Sequence, residues 1–232
     1  METVSIIIPA YNEEKNLPHI INHLKELDGY NLEIIVVDDG SSDSTAEVAG
    51  SLGVKVISYK PNRGKGAAFR EAIPYVTGKY VVQIDADHQF QPSDIPLLLE
   101  SLIGGNDIVF GSRFKGGKVE KGSISCLSLF GNWAMSLAAS VFAGHRVYDV
   151  MAGFKAFKSD KLRALNLKCD HFGYEAEILV KAKSMGYKID EVPISHTRRI
   201  DGKSNVKKIR DGIRVLSAII NTKLDILLKS KR

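Results

Sequence analysis

The sequence is poor in cysteine and lacks the glycine-rich motifs of several large nucleotide-binding classes. Its 232 residues include two cysteines, Cys126 and Cys169, which are far apart and without metal-ligand spacing. Such usage is typical of a reduced, intracellular protein. No G-x-G-x-x-G follows the first predicted strand and no Walker motif occurs, which disfavours dinucleotide oxidoreductases and P-loop NTPases. The start, METVSIIIPAYNEE, has no basic region followed by a secretory apolar stretch, so we expect a cytoplasmic protein.

Excess positive charge is absent from most of the chain and concentrated in its last residues. The net charge is +5, yet residues 206–232 hold eight Lys or Arg and two Asp, which leaves −1 for the rest. This distribution argues against a nucleic-acid-binding body and predicts a local basic patch that faces something anionic.

Apolar residues recur at helical spacing in this basic tail: Ile209, Ile213, Leu216, Ile220, Leu224 and Leu227 or Leu228. A basic amphipathic helix of this kind can lie on the cytoplasmic face of a membrane, where its cations meet anionic lipid. It can equally dock its apolar stripe on the domain, on a second copy of the chain or on a membrane-protein partner. Both interpretations stay open from the sequence.

Strand and helix patterns alternate through the first half of the chain. Short, continuously apolar runs predict buried strands at 4–10, 32–40, 54–60, 80–87 and 107–113. A later helix is predicted at 171–186 and a strand at 187–196. The alternation predicts an α/β fold with a doubly wound, mainly parallel sheet that binds ligands at the carboxyl ends of its strands. We expect one domain over residues 1–205 and a helical tail over 206–232.

The segment from Ser123 to Gly144 contains no charged side chain and is nominally long enough to span a bilayer. Five serines, an asparagine and an internal glycine interrupt its apolar residues. We therefore predict a packed or interface-lying helix rather than a membrane-spanning one.

Two carboxylates, Asp85 and Asp87, end the fourth predicted strand, and Gln89 lies two residues further on. Oxygen ligands suit Mg²⁺ or Mn²⁺ rather than zinc. Two like charges at the mouth of a buried strand repel each other unless a cation lies between them, so the pattern predicts a metal site; a surface loop with one capping Asp is the alternative. Because Mg²⁺ keeps positions open for phosphate oxygens, we expect a nucleoside diphosphate as ligand. His88 points the other way along an extended segment and is not expected to bind the metal.

Polar residues also follow the first two strands. Asp38 and Asp39 can cap the next helix or accept hydrogen bonds from a nucleobase, on which Tyr11 can pack. The glycines of NRGKG allow close backbone approach, and either Arg63 or Lys65 can place a cation near phosphates. An ordinary helix entry with surface charges is the alternative for that loop.

Eight motifs occur between about residues 4 and 206: SIIIPAYNEE, VVDDGSSDST, NRGKGAA, DADHQFQP, GSRF, DVMAGFKAF, FGYEAEILVKA and EVPISHTRRIDGKS. In content and order they resemble the inverting nucleotide-sugar glycosyltransferases of family 2, which have the GT-A fold. The match is strongest to the polyprenyl-phosphate hexosyltransferases, such as dolichyl-phosphate mannose and glucose synthases. The resemblance implies metal-dependent transfer of mannose or glucose from GDP-mannose or UDP-glucose to a polyprenyl or dolichyl phosphate.

The resemblance also implies roles for individual residues. Lining of the nucleoside pocket is expected from Pro9, Tyr11, Glu13 and Asp39. Metal coordination on the diphosphate is expected from Asp87 and Gln89, with Asp85 beside them against the sugar and ribose. Phosphates would be held by Arg113 and Arg199, under a loop that carries Lys203 and Ser204. Asp149 would face the acceptor.

Two positions depart from the family pattern. Ile124 stands where mannose synthases have an arginine, although Ser128 and Asn132 match the same motif, and Asn205 replaces a common lysine. Both departures affect how an acceptor phosphate would be held; substitutes would be Lys118 or Lys121. The donor is left open, because RGKG and AGFK favour the glucose synthases whereas DADHQ and GYEAEILVKA favour the mannose synthases.

Other functions are weighed against the same residues. A family 2 enzyme that builds polysaccharide or glycolipid on a hydroxyl acceptor needs a general base, for which Asp149 is the candidate. A nucleotidyltransferase would normally show a glycine-rich basic loop after the first strand, and PAYNEEKN is not one. Intact Asp85, Asp87, Gln89 and Arg113 argue against an inactive binding protein.

Overall fold

Seven strands and eight helices are seen in the computed structural model, which describes residues 2–201 and 208–229. The strands are β1 Thr3–Ala10, β2 Asn31–Asp38, β3 Lys55–Ser58, β4 Tyr80–Gln83, β5 Ile108–Ser112, β6 Lys155–Lys158 and β7 Ile189–Pro193. The helices are α1 Leu17–Lys25, α2 Thr45–Ser51, α3 Lys65–Ala72, α4 Ile95–Ile103, α5 Cys126–Ala143, α6 Ser159–Leu165, α7 Gly173–Ser184 and α8 Lys208–Lys229.

The strands form a single sheet in the order β3-β2-β1-β4-β6-β5-β7. All neighbouring pairs are parallel except those of β6, which runs antiparallel to both β4 and β5. The predicted α/β fold with a mainly parallel, doubly wound sheet is confirmed. The chain moves outward from β1 to β2 and β3, then returns to the other side of β1 as β4. This reversal opens a crevice at the carboxyl ends of β1 and β4.

Two apolar cores cover the two faces of the sheet, which explains why the strands are apolar without alternation. On one face α1, α2 and α4 pack through residues such as Ile20 and Leu98, and on the other α3 and α5–α8 pack through residues such as Phe69 and Tyr174. In β1 every residue from Val4 to Ala10 is buried. Burial of such side chains contributes about 1.5–3 kcal/mol each and fixes the strand ends that carry the polar residues.

Two elements were not predicted, and the fourth predicted strand ends at Gln83 instead of Asp87. The strand β6 and the short helix α6 come from the motif DVMAGFKAF and the residues after it. The fourth strand leaves the sheet after Gln83, because β6 pairs only with residues 80–83. Asp85 and Asp87 therefore lie in the connection beyond the strand, where side chains need not alternate between sheet faces.

The uncharged helix α5 and the tail helix α8 lie against each other on the core that also contains α7. Val215 and Ile219 of α8 are fully buried, and Lys223 Nζ of α8 donates a 3.0 Å hydrogen bond to the Phe142 carbonyl at the end of α5. A C-terminal amphipathic helix was predicted and is present. Among the described helices, α5 is the one long and apolar enough to cross a membrane by length and composition. The division at residues 205 and 206 stays a prediction.

Candidate active site

A cavity of about 1110 Å³ opens at the carboxyl ends of β1 and β4. It is larger than the 300–1,000 Å³ range of typical ligand pockets, by general comparison, so it has room for more than one ligand group. Ten of the predicted site residues line it: Pro9, Tyr11, Glu13, Asp39, Lys65, Asp85, Asp87, Gln89, Arg113 and Arg199. The predicted Lys203 and Ser204 lie outside the described residues.

Asp85 is held on two sides. Its Oδ1 lies 2.7 Å from Lys65 Nζ, and its carboxylate packs directly on Gly153, where an added Cβ would overlap it. Burial raises the pKa of Asp85, and the Lys65 ammonium partly offsets that effect. A residue larger than glycine at position 153 would therefore displace the carboxylate from its place in the cavity.

Behind Lys65 lies a second, completely buried ion pair that the sequence did not predict. Lys65 Nζ is also 3.3 Å from Glu175 Oε1, and Glu175 Oε2 in turn bonds the ammonium of Lys155. Burial alone would raise the pKa of Glu175, but Lys155 and Lys65 outweigh it and the pKa is lowered. The four side chains alternate in sign from Lys155 through Glu175 and Lys65 to Asp85. The Asp85 carboxylate in the cavity is thus linked by ion pairs to buried residues of the core.

Asp87 and Glu13 share one cation. The guanidinium of Arg199 bonds Asp87 Oδ2, and its Nη1 lies 3.3 Å from Glu13 Oε1. Burial raises the pKa of Glu13 to about 7, although a hydrogen bond from Asn16 and the charge of Arg199 oppose this. Gln89 lies next to this group, where its backbone N–H donates to Asp87 Oδ1 at 3.1 Å. The carboxylates Glu13, Asp85 and Asp87 thus each have a cation partner.

The chemistry of these donors fits a hard divalent cation. Asp87 and Gln89 offer oxygen ligands. The carboxylates of Glu13 and Asp87 attract positive charge, as their ion pairs with the Arg199 guanidinium show. In the part of the chain that the structure describes, no three His, Cys, Asp or Glu side chains are arranged to hold a metal on their own. Such a partial set suits Mg²⁺ or Mn²⁺, which take their remaining ligands from water and phosphate.

Asp39 and Arg63 are used locally rather than left open to a ligand. The Asp39 carboxylate accepts hydrogen bonds from Tyr59, Asn62 and the backbone N–H groups of Arg63 and Gly64, at 2.7–2.9 Å. It therefore fixes the loop before α3 while also lining the cavity. The Arg63 side chain instead pairs with Glu71 at 2.9 Å, so Lys65 is the cation that this loop places in the cavity.

Asp149 does not line the cavity, which differs from the prediction that it faces the acceptor. Its carboxylate is fully buried and accepts two 2.7 Å hydrogen bonds from the Arg113 guanidinium and one of 3.0 Å from the Arg113 backbone N–H. A carboxylate bound in this way is not placed to take a proton from an acceptor. Its effect is to hold Arg113, which does line the cavity, in one orientation.

His88 does not line the cavity, but the extended backbone from which its orientation was predicted is not found. Its backbone is left-handed (φ 59°), and its Nε2 is 2.8 Å from His23 Nδ1 on α1. Two other histidines line the cavity, His171 and His196, of which His196 lies just after β7. Burial, together with the positive charge of Arg113, lowers the pKa of His196 to about 4, so it is neutral near pH 7. In the sequence, His196 belonged to the motif EVPISHTRRIDGKS and ended the predicted strand 187–196, but it was not assigned a role.

Comparison with known proteins identifies the family to which the chain belongs. The family model described as glycosyl transferase family 2 matches residues 5–164. Glycosyltransferase AglJ of Haloferax volcanii is 32% identical over 213 residues, which cover 91% of this chain and 69% of that protein. The chain belongs to glycosyl transferase family 2. It is therefore a glycosyltransferase.

A second relative of this family 2 glycosyltransferase is the dolichol-phosphate mannosyltransferase of Pyrococcus furiosus. It is 36% identical over 211 residues, which cover 88% of this chain and 59% of that protein. Among solved structures, glucosyl-3-phosphoglycerate synthase from Mycobacterium tuberculosis, in complex with Mn²⁺ and UDP-glucose, superposes with a TM-score of 0.75 at 23% identity and covers 96% of this chain and 79% of that chain. The same enzyme with phosphoglyceric acid gives 0.75 at 22% identity, with 95% and 80% covered. The GT-A fold is confirmed.

The cavity of this glycosyltransferase continues from the strand ends to a wall built by α5 and α8. Ile124, Ser128 and Asn132 line that wall, together with Arg210 and Arg214. Lys118 and Lys121, which were expected to replace the missing arginine, do not lie on this wall. The helix α8, which was predicted only as a membrane or docking element, therefore contributes side chains to the site.

Proposed function

We propose that this family 2 glycosyltransferase transfers mannose or glucose, with inversion, from GDP-mannose or UDP-glucose to a polyprenyl or dolichyl phosphate. The observation that supports this best is the composition of its cavity. One end holds carboxylates and their paired cations, and the other end, on α5 and α8, combines arginines with apolar side chains. A nucleotide-sugar suits the first end and an amphiphilic phosphate suits the second.

The donor would bind at the strand ends. Tyr11 offers an exposed ring on which a base can stack, next to the backbone of Pro9. Arg113, held by Asp149, and Arg199, which is 20% exposed, are the cations available to a diphosphate. The Pyrococcus furiosus relative is a dolichol-phosphate mannosyltransferase, and the Mycobacterium tuberculosis synthase binds Mn²⁺ and UDP-glucose. Both support the proposal by similarity.

The proposed reaction is a single in-line displacement. An oxygen of the acceptor phosphate attacks the anomeric carbon, and the bond from that carbon to the diphosphate oxygen breaks with its electron pair leaving on the nucleoside diphosphate. A phosphate monoester is ionised near neutral pH, since its second pKa is about 6, so no general base is required. The involvement of Asp149 with Arg113 is consistent with a mechanism that needs none. A bound Mg²⁺ or Mn²⁺ would supply charge stabilisation to the leaving diphosphate, held by Asp87 and Gln89 with Asp85 beside them.

A lipid acceptor requires access to a membrane, and the α5–α8 surface would provide it. Exposed apolar side chains project from both helices, among them Leu127, Phe130, Trp133, Ile213 and Leu224. Leu127 and Phe130 also line the cavity, so a polyprenyl chain would leave it along the exposed apolar side chains of α5. We infer a peripheral contact of this surface with the cytoplasmic face of a membrane.

The test is a transfer assay with two donors and two acceptors. The purified protein is incubated with Mn²⁺, labelled GDP-mannose or UDP-glucose, and either a polyprenyl phosphate or a sugar-hydroxyl acceptor. We expect label in the lipid phase with one donor and the polyprenyl phosphate, and loss of at least 90% of it with EDTA or in Asp87→Asn. Transfer to the hydroxyl acceptor alone would instead establish polysaccharide or glycolipid synthesis.

A further inference from the structure

Among the described residues, the α8 side of the cavity carries two arginines and one aspartate. Arg210 and Arg214 lie one helical turn apart and both line the cavity. Arg214 Nη1 is 3.5 Å from Asp211 Oδ1, at the outer limit of a hydrogen bond, and Asp211 lines the cavity as well. Among the residues that the structure describes, Arg210 forms no ion pair. Two guanidinium groups therefore face one carboxylate at this end.

The other cations of the cavity are committed. Lys65 pairs with Asp85 and Glu175, Arg113 with Asp149, and Arg199 with Glu13 and Asp87. These pairs neutralise the strand-end side of the cavity within the chain itself. A donor diphosphate at the strand ends would share Arg113 and Arg199 with their carboxylate partners, whereas at Arg210 a phosphate would meet a cation that has no described partner. The unmatched charge thus points to an anionic ligand on the α8 side.

The first turn of α5 faces the same space. Ser123, Ser125 and Ser128 line the cavity, and Ser125 caps the helix by accepting a 3.2 Å hydrogen bond from the Ser128 backbone N–H. An 18-residue helix concentrates partial positive charge at this end. The Ser125 and Ser128 hydroxyls are hydrogen-bonded to each other at 2.9 Å, and Ser123 Oγ lies 3.0 Å from His196 Nδ1. Because a hydroxyl both donates and accepts, these groups and the partial charge add to the arginines and suit a phosphate group with several acceptor oxygens.

Apolar side chains continue from this point outward. Leu127 and Phe130 line the cavity and are also 62% and 65% exposed, so they connect its interior with the surface of α5. Val215 lies opposite on α8, fully buried. A ligand that follows this path has a phosphate at its head and a hydrocarbon chain behind it.

We infer that Arg210 and Arg214, with the first turn of α5, form the subsite for the acceptor's phosphate monoester, and that Leu127 and Phe130 contact the chain attached to it. The inference rests on the proposed transfer to a lipid phosphate and adds the residues that select the acceptor. It assigns to α8 a direct part in acceptor binding in addition to its surface contact.

A lipid phosphate and a soluble phosphate ester share the head-group chemistry, so the experiment uses both. Equilibrium binding of farnesyl phosphate, farnesol and glycerol phosphate is measured for the wild type, Arg210→Gln, Arg214→Gln and the double variant. Lys223→Gln is the matched control, because it removes one charge from the same helix about 20 Å along its axis, at 1.5 Å per residue. Binding of GDP and UDP with Mn²⁺ and the thermal midpoint are recorded for each variant.

We expect farnesyl phosphate to bind the wild type more tightly than farnesol or glycerol phosphate. Each arginine substitution should weaken it by about tenfold, as for a lost hydrogen bond to a charged group. In the arginine variants, nucleotide affinity should stay within about twofold of the wild type and the thermal midpoint within about one degree, because neither depends on the lost hydrogen bonds. The Lys223→Gln control should stay within the same limits, and its affinity for farnesyl phosphate should also change by less than about twofold. Equal binding of farnesyl phosphate by the wild type and the double variant would overturn the subsite, as would equal binding of farnesol. Tighter binding of glycerol phosphate would overturn the lipid assignment.

The binding readout is independent of turnover, which separates the two proposals. If farnesyl phosphate binds through Arg210 and Arg214 but no hexose is transferred, the subsite stands and the proposed reaction is wrong. If hexose is transferred equally by the double variant and the wild type at limiting acceptor, the reaction stands and the subsite is wrong.

Discussion

At the scale of single residues, the position of Asp85 depends on charges that lie behind the cavity wall. Lys155 and Glu175 are 0% and 1% exposed, and Glu175 links Lys155 to the ammonium of Lys65. A buried ion pair adds little net stability compared with apolar residues, but removal of one partner leaves an uncompensated buried charge. The chain of ions therefore acts mainly to hold Lys65 and Asp85 in place.

Substitution of Glu175 tests this buried pair. We expect Glu175→Gln to lower the free energy of unfolding by about 3 kcal/mol, because Lys155 is left charged and unpaired in the core. The double variant Glu175→Gln/Lys155→Met removes one charge of each sign and should recover most of that loss. Urea denaturation measures both. If the double variant were no more stable than the single one, the two side chains would not act as a pair.

His196 predicts a pH dependence of stability. Burial and Arg113 lower its pKa from 6.5 to about 4 in the folded protein, so below pH 6.5 the unfolded chain binds a proton that the folded chain does not. Stability from this group is thus complete above pH 6.5 and falls as the pH drops towards 4, by up to about 3 kcal/mol. Unfolding free energies at pH 7 and pH 4 should differ less in His196→Asn than in the wild type. Parallel curves for the two proteins would contradict the assignment.

What the sequence revealed at this scale is the set of polar residues at strand ends. Asp85, Asp87 and Arg113 were predicted to meet because parallel strands end at one edge, and all three line the cavity. Glu175 and Lys155 were not predicted, since a charged residue in a helix or strand pattern is normally taken as solvated. Their burial depends on tertiary contacts between β6, α3 and α7, which no local pattern contains.

At the scale of elements, α8 has two faces with different surroundings. Val215 and Ile219 are buried in the core, whereas Ile213, Ile220 and Leu224 are each 45% exposed or more. The helical spacing predicted the amphipathic helix, and it left open whether the apolar stripe packs on the domain or faces a membrane. Some apolar residues of α8 pack on the domain and others are exposed, so packing on the domain does not exclude contact with a membrane.

The exposed face of α8 is tested by vesicle flotation. Leu224→Glu places a negative charge among exposed apolar residues, and we expect it to reduce binding to anionic vesicles at least tenfold while folding is unchanged. Ile103→Glu is the matched control, because Ile103 at the end of α4 is 66% exposed and lies on a different element. Equal flotation of wild type and Leu224→Glu would show that this face does not contact lipid.

The elements that were not predicted have neither a long apolar run nor a strong helical or strand periodicity. The four residues of β6, KAFK, include a lysine at each end, and their place between β4 and β5 comes from pairing with both neighbours. The fourth strand was predicted to reach Asp87 because Ile84 and Ala86 continue its apolar run, and the structure shows both residues buried. Burial of those residues comes from the connection that follows the strand.

At the scale of the whole molecule, one cavity joins the two halves of the chain. The strand ends of the first half supply Glu13, Asp85 and Asp87, and the second half supplies Arg199 and the α5–α8 wall. The paired ions at one end, and at the other an arginine with no ion-pair partner among the described residues, give the cavity two distinct chemical environments. This division supports a reaction between a nucleotide-sugar and a phosphate with an apolar chain.

The most direct test of this account compares a polyprenyl phosphate with the polyprenol that lacks its phosphate, as acceptors for the same labelled donor. We predict Mn²⁺- or Mg²⁺-dependent transfer to the phosphate, less than about one hundredth of that rate with the alcohol, which corresponds to about 2.7 kcal/mol of transition-state stabilisation. The anomeric configuration of the product, determined by NMR, should be inverted relative to the donor. Equal transfer to the alcohol, or retention of configuration, would contradict the account.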